Sequence, residues 1–97
     1  MINYDNYEIF ITGGATTLVP TFASTIPTFG ERLCVVTNQK ATSITIQLPT
    51  LNHTDGRQYI GNVATISINQ NESVELHYLF LPTTIRIVAQ KYTYRSS

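Results

Sequence analysis

Between Asn62 and Gln90 apolar side chains fall at every second position: Ile66 and Ile68, then Val74, Leu76, Tyr78 and Phe80, then Ile85, Ile87 and Ala89. Asn69-Gln70-Asn71-Glu72 and Leu81-Pro82-Thr83 break the pattern. Successive side chains of a strand point to opposite faces, so this spacing predicts three strands in a meander, with one oily face. Thr65, Ser67, Ser73, Glu75, His77, Thr84, Arg86 and Gln90 fall on the other face. Ile44, Ile46, Ile66, Ile68, Val74, Leu76, Ile85 and Ile87 are the expected core.

Earlier in the chain the alternation is looser. Tyr4 to Thr12 reads as a first strand, ended by Gly13-Gly14, and Ala15 to Val19 as a short second one closed by Pro20. Residues 20–29 carry two prolines, several threonines and the isolated Phe22, Ile26 and Phe29, which predicts an ordered loop with its apolar residues packed on a sheet. Glu31–Thr37 and Ser43–Leu48, separated by Asn38-Gln39-Lys40, read as a hairpin. Leu33-Cys34-Val35-Val36 is apolar on both faces, as in a central or covered strand. Asn52-His53-Thr54-Asp55-Gly56 has turn chemistry, and Tyr59 and Ile60 after it are expected to plug the core.

Nowhere do apolar residues recur at a helical period. The expected fold is therefore all-β: one small β-sandwich or barrel-like domain of about seven or eight short antiparallel strands. The single domain covers residues 1–97, with N-terminal strands and a Pro/Thr-rich loop at 1–29, a β core at 30–90 and a polar tail at 91–97.

Composition narrows the function classes. Only 12% of the 97 residues are charged, against roughly 25% in ordinary soluble domains. Lys+Arg and Asp+Glu both number 6, so no positive field is present to attract phosphates or an anionic membrane, and neither nucleic acid nor a membrane is an expected partner. No basic-then-apolar leader and no long apolar run are visible. Cys34 is the lone cysteine, so an intrachain disulfide is excluded. Asn52-His53-Thr54 and Asn71-Glu72-Ser73 match the glycosylation pattern but read as turns.

Candidate chemistry is sparse. His53 and Asp55 would be a general-base pair if a nucleophile came near, but Gly56 explains Asp55 as a turn residue. His77 beside Glu75 reads as a surface histidine, two histidines being too few for a metal site. Cys34, inside an apolar strand without a basic neighbour, reads as a small hydrophobe. No catalytic residue, cofactor or metal is expected.

Tyrosines sit near both ends of the chain, and their aromatic bodies with polar tips suit an interface, plain packing, or sugar stacking. Together with the double-sided apolar runs they nominate Tyr4, Tyr7, Val36, Leu79, Leu81, Tyr92 and Tyr94 as interface residues.

From Gly30 onward the order of features resembles the small β-domains of bacteriophage fibres and other virion-surface proteins. The matching stretches are Gly30 to Asn38, Ser43 to Leu48, Asp55 to Gly61, Ala64 to Ile68, and Glu72-Ser73-Val74 through Phe80. The chain departs from that pattern in two ways. Ile85 to Gln90 lacks the Trp of the usual closing strand, and no fibrous shaft precedes the domain. These departures favour a capsid decoration or head-fibre subunit over a receptor-binding tip. The resemblance implies a non-enzymatic structural protein, made in the host cytoplasm and carried on the virion. Its partners would be itself, as a homo-oligomer such as a trimer, or capsid and other virion proteins. The alternative is a carbohydrate- or receptor-binding β-sandwich module.

Overall fold

The computed structural model describes residues 2–93. Among them there is no helix. Ten strands run in chain order: β1 (Ile2–Asn3), β2 (Glu8–Ile11), β3 (Thr17–Leu18), β4 (Pro20–Thr21), β5 (Gly30–Asn38), β6 (Ile44–Gln47), β7 (Gln58–Gly61), β8 (Thr65–Ile68), β9 (Glu72–Phe80) and β10 (Thr84–Thr93). The all-β expectation stands. The strands are more numerous than expected, and β10 runs on into what the sequence suggested was a polar tail.

They form a five-stranded sheet in the order β2-β5-β9-β10-β7, a three-stranded sheet β3-β6-β8, and a two-stranded sheet β1-β4. The long central strands β5, β9 and β10 pair antiparallel. Of the short ones, β2 joins β5, β7 joins β10, β3 joins β6 and β1 joins β4 in parallel, whereas β8 joins β6 antiparallel. An all-antiparallel arrangement is thus corrected. Alternation assigns a face to each residue but says nothing of strand direction, and the connections from β2 to β5 and from β7 to β10 are long enough to let a strand return in parallel.

Two pairings implied by the meander and the hairpin are also corrected. β5 does not pair with its successor β6 but with β9, and β8 pairs with β6 rather than with β9. At residues 39–43 and again at 69–71 the chain steps from one sheet to the other. Both steps are held by Asn38, the last residue of β5 and a fully buried side chain. Its Nδ2 donates to the carbonyls of Thr42 (2.9 Å) and Ile68 (3.2 Å), while its Oδ1 accepts from Lys40 N (2.9 Å). Its own carbonyl accepts from Asn71 N at 2.6 Å. Asn71 takes a positive φ of 67°, which asparagine tolerates better than other residues with a Cβ.

The inward residues of both larger sheets join one buried cluster. β5 contributes Cys34 and Val36; β9 contributes Val74, Leu76, Tyr78 and Phe80; β10 contributes Ile85, Ile87 and Ala89; and Ile44, Ile46, Leu48 and Ile68 come from β6, β8 and their flank. Of the core residues expected on the alternating strands all are buried except Ile66, which is half-buried against the cluster, as is Tyr59, whereas Ile60 is exposed. Each large aliphatic side chain so buried contributes roughly 1.5–3 kcal/mol. Gly61 ends β7 where space is tightest: a Cβ there would stand 2.6 Å from Leu48 Cδ1 and 3.1 Å from Val63 O.

One end of the core is aromatic. Phe22 stacks on Tyr4 (centroids 5.3 Å apart) and meets Tyr59 at 5.2 Å and, edge-on, Tyr78 at 5.4 Å. The loop after β4 thus packs through Phe22 and Ile26, as expected, whereas Phe29 is left 68% exposed.

Candidate functional site

Two regions gather polar side chains in a way that chemistry could use. The first lies under the 22–29 loop. The turn His53–Arg57 is closed by His53 N donating to Arg57 O and Gly56 N to His53 O, both at 2.8 Å. Gly56 supplies the φ of +93° that the turn requires. The turn buries two side chains, His53 and Arg57. A carbonyl only accepts, so His53 Nε2 donates to Ser24 O (3.3 Å), while Nδ1 shares a 2.7 Å bond with the Tyr59 hydroxyl. Arg57 is spent more completely: Nε donates to Asp55 Oδ2 (2.8 Å), and its terminal nitrogens donate to the carbonyls of Pro27 (2.6 Å), Ile26 (3.4 Å) and Leu81 (3.4 Å).

This network staples the 22–29 loop and the β9–β10 turn to one guanidinium. The bond from Arg57 holds the Asp55 carboxyl below the ordinary carboxylate range, and burial pushes the Tyr59 phenol up. His53 and Asp55, the pair considered for general-base work, each bond elsewhere and not to one another. Ser24 offers His53 its carbonyl rather than its hydroxyl. The arrangement can hold a loop in place, with Arg57 and both ring nitrogens of His53 engaged within the chain.

Cys34 is fully buried, and desolvation pushes its thiol up to about 11, where almost no thiolate exists at neutral pH. Among the described residues no three His, Cys, Asp or Glu side chains stand close enough to share a metal ion, and no helix is long and apolar enough to cross a membrane.

The second region is the outer face of the five-stranded sheet. Strand register places its side chains in rows. Glu31, Leu79, Arg86 and Ile60 lie side by side across β5, β9, β10 and β7. The next row holds Leu33, His77 and Val88, and the next Glu8, Val35, Glu75 and Gln90. Phe10, Thr37 and Ser73 follow, with Thr37 and Ser73 joined through their hydroxyls at 2.7 Å. Leu33, Val35 and Leu79 are half-buried by their neighbours, and Phe10, Val88 and Ile60 are 50%, 42% and 42% exposed. A groove of about 270 Å³ runs over β9, with Glu31 on one wall, Arg86 and Val88 on the other, and His77 and Leu79 between them. Ile60, expected in the core, belongs to this face instead, because the parallel register sets it beside Arg86.

The opposite outer face differs in kind. There β3, β6 and β8 present Thr17, Thr45, Gln47, Thr65 and Ser67, with Thr45 and Ser67 bonded through their hydroxyls at 3.1 Å. One outer face is therefore uncharged and hydroxyl-covered, and the other interleaves aliphatic side chains with Glu8, Glu31, Glu75, His77 and Arg86.

The nominated interface residues divide. Leu79 lies on the central strand β9 in the end row of the outer face, between Glu31 and Arg86, and Tyr7, just before β2, is 69% exposed. Leu81 is half-buried in the β9–β10 turn, where its N donates to Thr84 O. Tyr4 and Val36 are corrected: both are buried in the protein's own core, Tyr4 between Phe22 and Phe80, and Val36 on the inward side of β5. Tyr92 pairs through its backbone with Ser73, and Tyr94 lies outside the described residues. Sequence reasoning missed Leu33, Val35, Val88 and Phe10 as neighbours on one surface, since only the pairing of β2, β5, β9 and β10 brings them together. No protein-family model matches this chain, and neither a curated protein nor a solved structure is found similar to it.

Proposed function

We propose that this protein is a non-enzymatic structural subunit that works by docking the outer face of its five-stranded sheet against another protein surface. The observation that carries the reading is the contrast between the two outer faces: Leu33, Val35, Leu79 and Val88 on one, Thr17, Thr45, Thr65 and Ser67 on the other. Apolar side chains gathered on one sheet face and interleaved with polar and charged ones mark an interaction surface. The resemblance to virion-surface β-domains supplies the setting, a capsid decoration or a head- or tail-fibre subunit that belongs to the virion. We infer also that the two larger sheets are the layers of a β-sandwich, supported by their sharing one buried cluster.

The test is co-sedimentation of the tagged chain with virus particles purified from a culture that produces it. The wild-type chain and a Thr45→Arg variant are expected on the particles, and a Leu79→Arg variant is expected in the supernatant. Equal retention of all three, or retention of a monomeric chain on a glycan array, would transfer the function to another surface and to the carbohydrate-binding alternative.

A further inference from the structure

We infer that the partner of this face is a second copy of the same chain, related by a two-fold axis that runs along β9 in the plane between two stacked sheets. The inference rests on the docking reading above and adds the identity of the occupant. A two-fold axis parallel to the strands keeps each row in place and exchanges the columns on either side of β9. The β5 column of one copy then lies over the β10 column of the other.

Under that operation the charges match. Glu31 and Arg86 flank Leu79 in one row, and among the described residues neither belongs to an ion pair within the chain. Their strands stand two spacings apart, roughly 10 Å between backbones, with Leu79 between them and no ion pair formed across it among the described residues. Across the axis Glu31 faces Arg86 of the second copy and Arg86 faces its Glu31, two reciprocal pairs from one acid and one base. In the next row Leu33 lies over Val88 of the other copy, and Leu79 and His77 meet their own equivalents on the axis. The groove over β9 is the trough that receives the partner's Leu79.

The other in-plane axis, perpendicular to the strands and centred on His77, fits less well. It lays Arg86 over Gln90 and Glu31 over Val35, leaving both charges without a partner. One feature opposes the chosen arrangement: Glu75 lies on the axis and meets its own equivalent, a like-charge contact. It fixes the sign of a separate test.

The experiment is sedimentation equilibrium on the full-length chain and four variants. Wild type should dimerise, and Leu79→Arg should weaken the dimer on the order of 30-fold or more, as for a central apolar anchor. Glu31→Arg and Arg86→Glu should each be monomeric alone, because each sets like charges against one another twice. Mixed in equal amounts they should form a heterodimer: the first variant carries two arginines at these positions and the second two glutamates, so both contacts across the axis pair opposite charges. Glu75→Gln should tighten the wild-type dimer. A mixture that remains monomeric, or charge variants that dimerise as well as wild type, would overturn the two-fold arrangement. Loss of self-pairing together with retained, Leu79-dependent attachment to particles would sink this inference while leaving the docking reading intact. Folding of each variant is checked by far-UV circular dichroism, so that loss of association is not misread.

Discussion

Asn38 offers the sharpest test of how the chain is organised, because it ties two of the sheet-switching connections, 39–43 and 69–71, to the end of β5. Replacing it with Ala removes three hydrogen bonds. Thr42 is exposed, so water can reach its carbonyl; Ile68 is fully buried and stands opposite Ile44 in the β6–β8 ladder, so its carbonyl keeps only that strand as a partner. A lost bond costs about 1 kcal/mol net. The three together, about 3 kcal/mol, are a large part of the roughly 5–15 kcal/mol that a small domain possesses. Urea unfolding followed by tyrosine fluorescence should show a midpoint lowered by roughly 1–2 M.

Asn38→Asp sharpens the test. It keeps the acceptor for Lys40 N but turns a carboxylate toward the carbonyls of Thr42 and Ile68. Burial against two carbonyls, with Lys40 N as the one donor retained, raises the folded pKa of that carboxyl above its unfolded value of about 3.9. The variant's deficit relative to wild type should therefore be small below about pH 4, where the group is protonated in both states, and should grow as pH rises above that value. A deficit for Asn38→Ala under about 0.5 kcal/mol, or one for Asn38→Asp that is flat between these pH values, would refute the role assigned to this residue.

The other predictions are briefer. Arg57→Met should free the 22–29 loop, costing about 2–4 kcal/mol through its orphaned carbonyls and exposing that segment to limited proteolysis. Gly61→Ala should cost roughly 1–2 kcal/mol by overpacking against Leu48, and Leu48→Val in the same chain should relieve part of it, read as non-additivity in a double-mutant cycle. Tyr78→Phe should be neutral or stabilising by about 1 kcal/mol, because the Tyr78 hydroxyl is buried with no hydrogen-bond partner among the described residues. Asp55, bonded by Arg57, and Glu72, bonded by Asn69 N and Lys91, both have carboxyl pKa values lowered in the fold. Their contribution is present above about pH 4 and is lost as pH falls through the folded values, so an Asp55→Asn/Glu72→Gln variant should show a shallower acid limb than wild type in a denaturation series.

The strand content was legible because burial of one face writes itself into a two-residue period, as Val74, Leu76, Tyr78 and Phe80 do in β9. The partners of those strands were not legible. β5 and β6 are separated by a short polar segment, the usual mark of a hairpin, yet they lie in different sheets. What diverts the chain is the amide of Asn38, whose bonds reach Ile68, 30 residues away, a contact with no local sequence signature. Arg57 was equally silent. Its charge reads as a surface residue, and only the carbonyls of the 22–29 loop, 30 and 31 positions distant, give it a reason to be buried. His53 was visible as chemistry but not as structure, because its partner Tyr59 was assigned to the core on hydrophobicity alone.

The edges of the larger sheet bear on which part of it meets a partner. Open strand edges invite pairing with another chain, and proteins commonly shorten or cover them. Here both edge strands, β2 and β7, are only 4 residues long. Beyond β7 the exposed edge of β10 is taken up by a side chain: Asn62 Nδ2 donates to Ala89 O at 3.0 Å, and Ala89 N donates to Asn62 Oδ1 at 2.9 Å, as a further strand residue would. Asn62 N also donates to Ile87 O at 3.2 Å. On the other side, Val35 N and Gln39 N donate to the carbonyls of Tyr7 and Ile11 at 2.8 Å each, engaging β5 just before and just after the ladder. With β10's backbone engaged on its outer side as far as Ala89 and with β2 and β7 short, growth by strand addition has a limited ladder to use. The outer face of the sheet, where aliphatic and charged side chains interleave and which no element of the described chain covers, is the surface left for association through side chains, and so the substitutions that should matter are Leu79, Glu31 and Arg86 rather than residues of the edge strands.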